Sequence, residues 1–412
     1  MLNCSPRRAL RRLMLLVGLL PACSTPYQPP LLPQPPAVFP GLIDLAAQAA
    51  PHEADVLLVH GICTHDTSWA ATVVPQLTRA LNDATTPRAP MRTPQDAGLV
   101  ANAMPASAAA AGRPGHMAPG TELANTATAA GSAPRAAGAL TAPAVDIVPT
   151  TVTTPAGQLR FDALIWSPLT SALKRQLCYD QSGKSTQCND ALPYPYTRAK
   201  LNARFKDGLI DDCLPDALIY QGVARDSMQR QMRTAILQAL SGARAEVPLV
   251  VISHSMGSKL LFDTLLRMTE EPAGSAAAMA AQQAVDRMRF LVMAANQIPL
   301  LSLADQPLSP ATSLSAPPDS LQLLLRKRRT ALAADHHLTL VAFTDPNDLL
   351  SYTLPPERYA ADGVTVYNIL VSNAPTWPGL LERPDSAHLD YLGNPDVGRL
   401  ITCGQPTSKL CK

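Results

Sequence analysis

Metal-binding signatures are missing from this chain. It has no Cys-x-x-Cys pair and no histidines at ligand spacing, so neither a zinc site nor any other metal centre is expected. Aromatic residues make up only 4% of the sequence, and no basic stripe is interleaved with them. With a formal net charge of +2, this argues against nucleic acid as a partner. Charged residues are scarce at 16%, against 47% hydrophobic residues, so the chain can fill a large core. Proline is in excess, 40 in 412 residues, and points to linkers outside that core. The length fits one large α/β domain carrying extra segments.

The first residues have the layout of an export signal. Arg7, Arg8, Arg11 and Arg12 precede an apolar run, Leu13–Leu20, that is too short to cross a bilayer. The run closes on Leu20-Pro21-Ala22-Cys23-Ser24, which resembles the lipobox of bacterial lipoproteins. That resemblance implies removal of residues 1–22, lipidation of Cys23 and a lipid-anchored protein of the cell envelope, with Ser24 implying the outer membrane facing the periplasm. Pro21 departs from the commonest pattern; the alternatives are an ordinary signal peptide cut near Ala22 and an uncleaved anchor. Residues 23–50 read as a Pro-rich tether. Export also gives meaning to Cys63, Cys178, Cys188, Cys213, Cys403 and Cys411, an even set suited to disulfides in an oxidising compartment. Cys178 with Cys188 and Cys403 with Cys411 would each close a short polar loop, leaving Cys63 with Cys213, although connectivity stays open at this point.

The central stretch is Pro248–Met268. Pro248–Ile252 is an apolar, β-branched run of strand length, whereas Ser258–Met268 has apolar residues at helical spacing. Between them lies Ser253-His254-Ser255-Met256-Gly257. A nucleophile on a sharp strand-to-helix turn needs small residues two before and two after it, and Ser253 and Gly257 meet that need. Here the chain resembles the α/β-hydrolase family, with Ser255 as nucleophile. A second landmark is Asp55–His60, a buried strand that ends in His60-Gly61. In that family such a pair shapes the oxyanion loop, which implies the backbone amides of Ile62 and Met256 as oxyanion donors. His65 reads as part of the pocket rim, and His60 as a brace for the loop.

The resemblance also supplies the other two catalytic groups. His337–Phe343 is an apolar strand emptying into Thr344-Asp345-Pro346-Asn347-Asp348-Leu349-Leu350. The family places its acid here, often before two apolar residues, which implies Asp348, with Asp345 as the alternative. Gly363–Val371 is the last strand, and His388, with Tyr391 three residues on, stands on a loop behind it. That position implies His388 as the base.

The expected fold is therefore an α/β-hydrolase domain over residues 51–412, with a mainly parallel sheet flanked by helices. Residues 84–144, rich in Ala, Pro, Gly, Thr and Ser, read as a disordered insertion. The sheet is expected to resume at Gln158. Asp211, Asp212 and Asp216 read as a solvated loop with helix capping, since the alternation of a hard-cation loop is missing. The Arg326–Arg329 run reads as a solvated helix face.

The implied activity is hydrolysis of carboxylic (acyl) esters through an acyl-Ser255 intermediate, with no metal or organic cofactor. The implied partners are a small-molecule or lipid ester and the membrane that holds the Cys23 anchor, and the chain is expected to be a monomer. An acyltransferase would use the same triad. A non-catalytic lipoprotein using the fold as a binding scaffold is the reading from a different class.

Overall fold

A computed structural model describes residues 30–33, 36–81, 144–183, 188–191, 197–242, 244–307, 317–328, 337–376 and 382–411. The segments read as signal peptide, lipidated Cys23 and insertion 84–144 lie outside these residues, apart from residue 144 at the insertion's edge.

Seven strands form one sheet: β1 (Glu53–Val59), β2 (Asp146–Thr154), β3 (Gly157–Ile165), β4 (Leu249–His254), β5 (Met288–Ala294), β6 (Leu338–Thr344) and β7 (Val364–Leu370). Their order is β2-β3-β1-β4-β5-β6-β7. Every neighbouring pair is parallel except β2 with β3. β1, β4 and β6 are almost entirely buried, which is what a strand covered by helices on both faces requires, and explains their unbroken apolar runs.

The helices used below are α1 (Leu42–Gln48), α2 (Thr67–Thr78), α3 (Pro168–Lys174), α4 (Leu214–Gln221), α5 (Arg225–Ala239), α6 (Met256–Thr269), α7 (Ala276–Arg287), α8 (Pro384–Leu389) and α9 (Pro395–Cys403), with shorter helical turns between them. On one face of the sheet, Leu57, Val59, Val251 and Leu340 pack against Met232 and Ile236 of α5 and Leu260 and Leu265 of α6. On the other, Val56, Leu58, Ile252 and Phe343 pack against Leu42 of α1, Val74 and Leu77 of α2 and Leu400 of α9. The period-two alternation along β1 thus feeds two cores. Each such fully buried side chain contributes about 1.5–3 kcal/mol relative to exposure.

Three expectations are corrected. The sheet begins at Asp146, because the hairpin strand β2 pairs antiparallel with β3 from Asp146 to Thr154. β2 is an outer strand with mostly part-exposed residues, so its threonines and valines carried no apolar run to mark it. The tether is shorter than residues 23–50. Leu31 bridges to Leu370, Phe39 bridges to Gln405, and Leu32, Phe39, Leu42 and Ile43 are buried against the domain. This segment is docked, with the Phe39 ring stacked 6.0 Å from that of Phe290. The basic run is also not one solvated face: its helix ends at Leu325, and Arg328 beyond it is buried.

The cysteines pair as Cys63–Cys213, Cys178–Cys188 and Cys403–Cys411. The first joins the loop after β1 to the π-helical turn Lys206–Cys213 that precedes α4.

Candidate active site

The chain turns from one side of β1 to the other between β3 and β4, so the carboxyl ends of β1 and β4 open the crevice where ligands of such sheets bind. Ser255 follows β4 directly and is the residue before α6, with φ 53° and ψ −133°. A left-handed φ is costly for a serine, and it aims the side chain away from both the strand and the helix. The Ser255 amide is fixed by donating to the Ala294 carbonyl at 2.8 Å. Beside Ser255, neighbours approach too closely for anything but glycine at Gly257 and Gly61. A Cβ on Gly257 would stand 2.2 Å from the His60 carbonyl oxygen, and one on Gly61 would stand 2.5 Å from His254 Nδ1 and 2.7 Å from Ser255 Cβ. The loop after β1 therefore lies directly against the serine.

Ser255, His388 and Asp348 come together from three separate segments. Ser255 Oγ donates to His388 Nε2 at 3.0 Å. His388 Nδ1–H points at both oxygens of Asp348, at 3.0 Å each. This fixes the tautomer with Nε2 as acceptor toward the serine. All three residues are buried. The Tyr391 hydroxyl donates to Asp348 Oδ2 at 3.0 Å and accepts from the Asp345 amide at 2.6 Å. Asp345 does not face the imidazole. Its carboxylate accepts from the amides of Asn347 at 2.9 Å and Asn373 at 2.7 Å, so it shapes the turn. Burial pushes its pKa up.

No protein-family model, no curated protein and no solved structure matches this chain.

Two further histidines are buried there. His60 accepts from the Trp166 amide at Nε2, 2.8 Å, and donates from Nδ1 to the Gly61 carbonyl, 2.7 Å, which fits its expected bracing role. Its pKa is held well below the ordinary value by burial and by nearby His65. His254 donates from Nε2 to the His388 carbonyl at 2.8 Å, and burial, with His388 beside it, pushes its pKa down to about 3. Both are thus neutral scaffolding.

Among the described residues, no hydrogen bond occupies the amide of Ile62 or of Met256. Met256 opens α6, where the first amides have no partner within the helix. Both are therefore unoccupied donors, Met256 directly after Ser255 and Ile62 directly after Gly61, which lies against Ser255. A cleft of about 890 Å³ runs beside this centre along the start of α2. It reaches His254, Leu389 and Asp390, the neighbours of Ser255 and His388, while Ser255 itself is fully buried beneath. His65 lines this cleft, as expected, and Asp66 caps α2 by accepting from the Ser68 amide at 2.9 Å.

The acidic cluster is a correction. Asp211 and Asp216 are buried, and the Asp216 carboxylate accepts from the Cys63 amide at 2.8 Å. Asp212 accepts from the Thr64 amide at 3.1 Å. Lys174 of α3, one helical turn beyond Thr170, reaches both carboxylates. The acids read as solvated because their cation lies some forty residues away in the chain, where no local pattern shows it. One metal-like grouping occurs among the described residues, Cys63, Asp212 and Cys213, and both its cysteines are consumed by their disulfide. Sequence reasoning also missed His254, whose only signal is its place next to Ser255.

Proposed function

We propose that this chain is a serine hydrolase with an α/β-hydrolase fold that cleaves carboxylic esters through an acyl-Ser255 intermediate. The observation that carries the reading is the unbroken line Ser255 Oγ, His388 imidazole, Asp348 carboxylate, with 3.0 Å contacts on both sides of the ring and the serine held at a left-handed φ between strand and helix.

In this mechanism His388 Nε2 takes the hydroxyl proton as Ser255 Oγ attacks the ester carbonyl carbon. The negative charge on the carbonyl oxygen is met by the amides of Ile62 and Met256, and Asp348 stabilises the imidazolium. Collapse of the tetrahedral species breaks the bond to the alcohol, which leaves with the proton from His388. Water then repeats the sequence, releasing the acid and restoring Ser255. Neither step calls for a metal or an organic cofactor.

The described lining of the cleft includes Thr64, Asp66, Ser68, Thr72, Ser171 and Asp390. The same cleft is lined by Trp69, Val73, Leu389 and Leu392, and its carboxylates disfavour an anionic group there. The proposal includes export and anchoring through lipidated Cys23 at the bacterial outer membrane. Three cysteine pairs at bonding distance support an oxidising compartment. Labelling cells with a palmitate analogue tests the anchor: label is expected on the natural chain and absent after Cys23→Ala.

The activity is tested by following acid release from short-chain esters with purified protein beginning after Cys23, with and without added alcohols. Acid release that disappears in Ser255→Ala supports the hydrolase, whereas predominant transfer to the added alcohol would make it an acyltransferase. A folded protein with neither activity would return the fold to a binding scaffold.

A further inference from the structure

The loop that carries Ile62 is bound to a buried charged cluster that the reaction itself does not use. From Ile62 to His65, three of the four amides are occupied. Cys63 N–H donates to Asp216 Oδ2 at 2.8 Å, Thr64 N–H to Asp212 Oδ2 at 3.1 Å, and His65 N–H to Ser167 Oγ at 2.9 Å. Ser167 Oγ in turn donates to the Cys63 carbonyl at 3.1 Å, and Thr64 Oγ1 to Asp212 Oδ1 at 2.5 Å. Lys174 Nζ lies between the acids, 2.9 Å from Asp212 Oδ1 and 3.2 Å from Asp216 Oδ2, and also donates to the Asp212 carbonyl. The Cys63–Cys213 disulfide closes the same junction covalently.

Stability alone does not account for such a cluster. Asp216 is fully buried and Lys174 is 4% exposed. Taking a lysine and a carboxylate out of water is expensive, and apolar side chains of similar volume often serve a core as well. Directional acceptors for particular backbone amides are what an apolar core cannot supply. Cys63 needs them, because it stands at φ 79°, a conformation that side-chain-bearing residues rarely adopt without being held. The bonds that hold it leave the preceding amide, Ile62 N–H, as the unoccupied donor of the segment, on a loop pressed against Ser255 by Gly61.

We propose that Lys174, Asp212, Asp216 and Ser167, with the Cys63–Cys213 disulfide, are positioning residues that hold the Ile62 amide where the oxyanion forms. This rests on the ester-hydrolase reading. The oxyanion carries its charge only in the tetrahedral state, so loosening the loop lowers turnover while leaving substrate affinity nearly intact.

The experiment compares Asp216→Ala, Lys174→Met and Ser167→Ala with the natural chain beginning after Cys23. A fluorophosphonate counts the competent Ser255 in each preparation, and kcat per counted site, KM, and inhibition by an alkylboronic acid and by the product carboxylate are then measured. For Asp216→Ala the expected loss in kcat per site is about 10- to 100-fold, with KM within about twofold. The boronic acid, which forms a tetrahedral adduct, weakens in step with kcat, and the carboxylate does not. Ser167→Ala, which keeps the charges, gives a smaller loss of the same kind and decides the matter if the charge variants do not fold. Folded variants with unchanged kcat per counted site, whatever their melting temperature, overturn the proposal. A natural chain that cannot be labelled at all signals instead that the hydrolase reading has failed, and the proposal falls with it.

Discussion

His254 Nε2 donates a 2.8 Å hydrogen bond to the backbone carbonyl of His388, so the residue beside the candidate nucleophile holds the chain that carries the candidate base. The two lie 134 positions apart in sequence. The bond needs only a proton on Nε2; burial, with His388 beside it, keeps the ring neutral, so that proton is the one it carries.

Stability should therefore fall in mild acid. His254, with a folded pKa of about 3, and His60, also depressed, bind protons more readily in the unfolded chain than in the folded one. Their contribution is fully present above the unfolded value, about 6.5, and is lost as pH falls below it toward the folded values. For His254 the slope in that window is on the order of 1 kcal/mol per pH unit. Urea unfolding between pH 7.5 and pH 5 measures this, and His254→Gln, which cannot be protonated, should flatten the slope.

The two aspartates of the loop after β6 should separate by phenotype. Asp348→Asn removes the partner of His388 Nδ1, and turnover should drop by roughly 10³- to 10⁴-fold while the fold is kept. Asp345→Asn disturbs the acceptor of two turn amides and should cost about 1–3 kcal/mol in stability with a much smaller effect on turnover. Parallel melts and turnover measurements on the two variants decide between these roles.

Gly61→Ala should damage the site beyond what a surface glycine would show. The added Cβ would meet His254 Nδ1 and Ser255 Cβ at 2.5 and 2.7 Å, and both neighbours are buried and cannot withdraw. Turnover should fall by at least about 10²-fold, consistent with a displacement of the loop after β1 on the order of 1 Å. Ester hydrolysis by Gly61→Ala, set against its melting temperature, is the check.

Glu382 gives a prediction of opposite sign over an overlapping pH range. It accepts from Asn347 Nδ2 at 2.7 Å and from the Ala374 amide at 3.1 Å. Burial, and the Asp345 carboxylate beside it, push its pKa up to about 7. A raised acid contributes stability that is present below its unfolded value and lost as pH rises through the folded one, so the window is about pH 4.5 to 7. Glu382→Gln should melt higher than the natural chain at pH 8.5, with the advantage gone at pH 5.

Much of the centre was legible because it follows local rules. A β-branched run, a small-x-Ser-x-Gly turn and an apolar helical stripe lie within Pro248–Met268, so Ser255 could be placed on its strand-to-helix turn from spacing alone. His388 was implied by the family resemblance, through its place on a loop after the last strand. Asp345 and Asp348 were harder to separate, since both lie on one short loop and only the direction of each carboxylate distinguishes them. The support behind the site was hidden for a different reason. Asp216 contacts Cys63 across 153 residues, and its carboxylate looks no different in sequence from a solvated one. The same holds for residues 36–48, buried against partners distant in sequence, whereas β2 was missed because its part-exposed residues form no apolar run.

The central claim is that Ser255 is a nucleophile activated by His388. The most direct measurement is the reaction of the folded chain, beginning after Cys23, with a fluorophosphonate, followed by peptide mass spectrometry. The account predicts one phosphonyl adduct, on Ser255, forming in the natural chain and lost or slowed by at least about 10³-fold in His388→Ala. A folded natural chain that stays unmodified, or that labels equally well without His388, would contradict it.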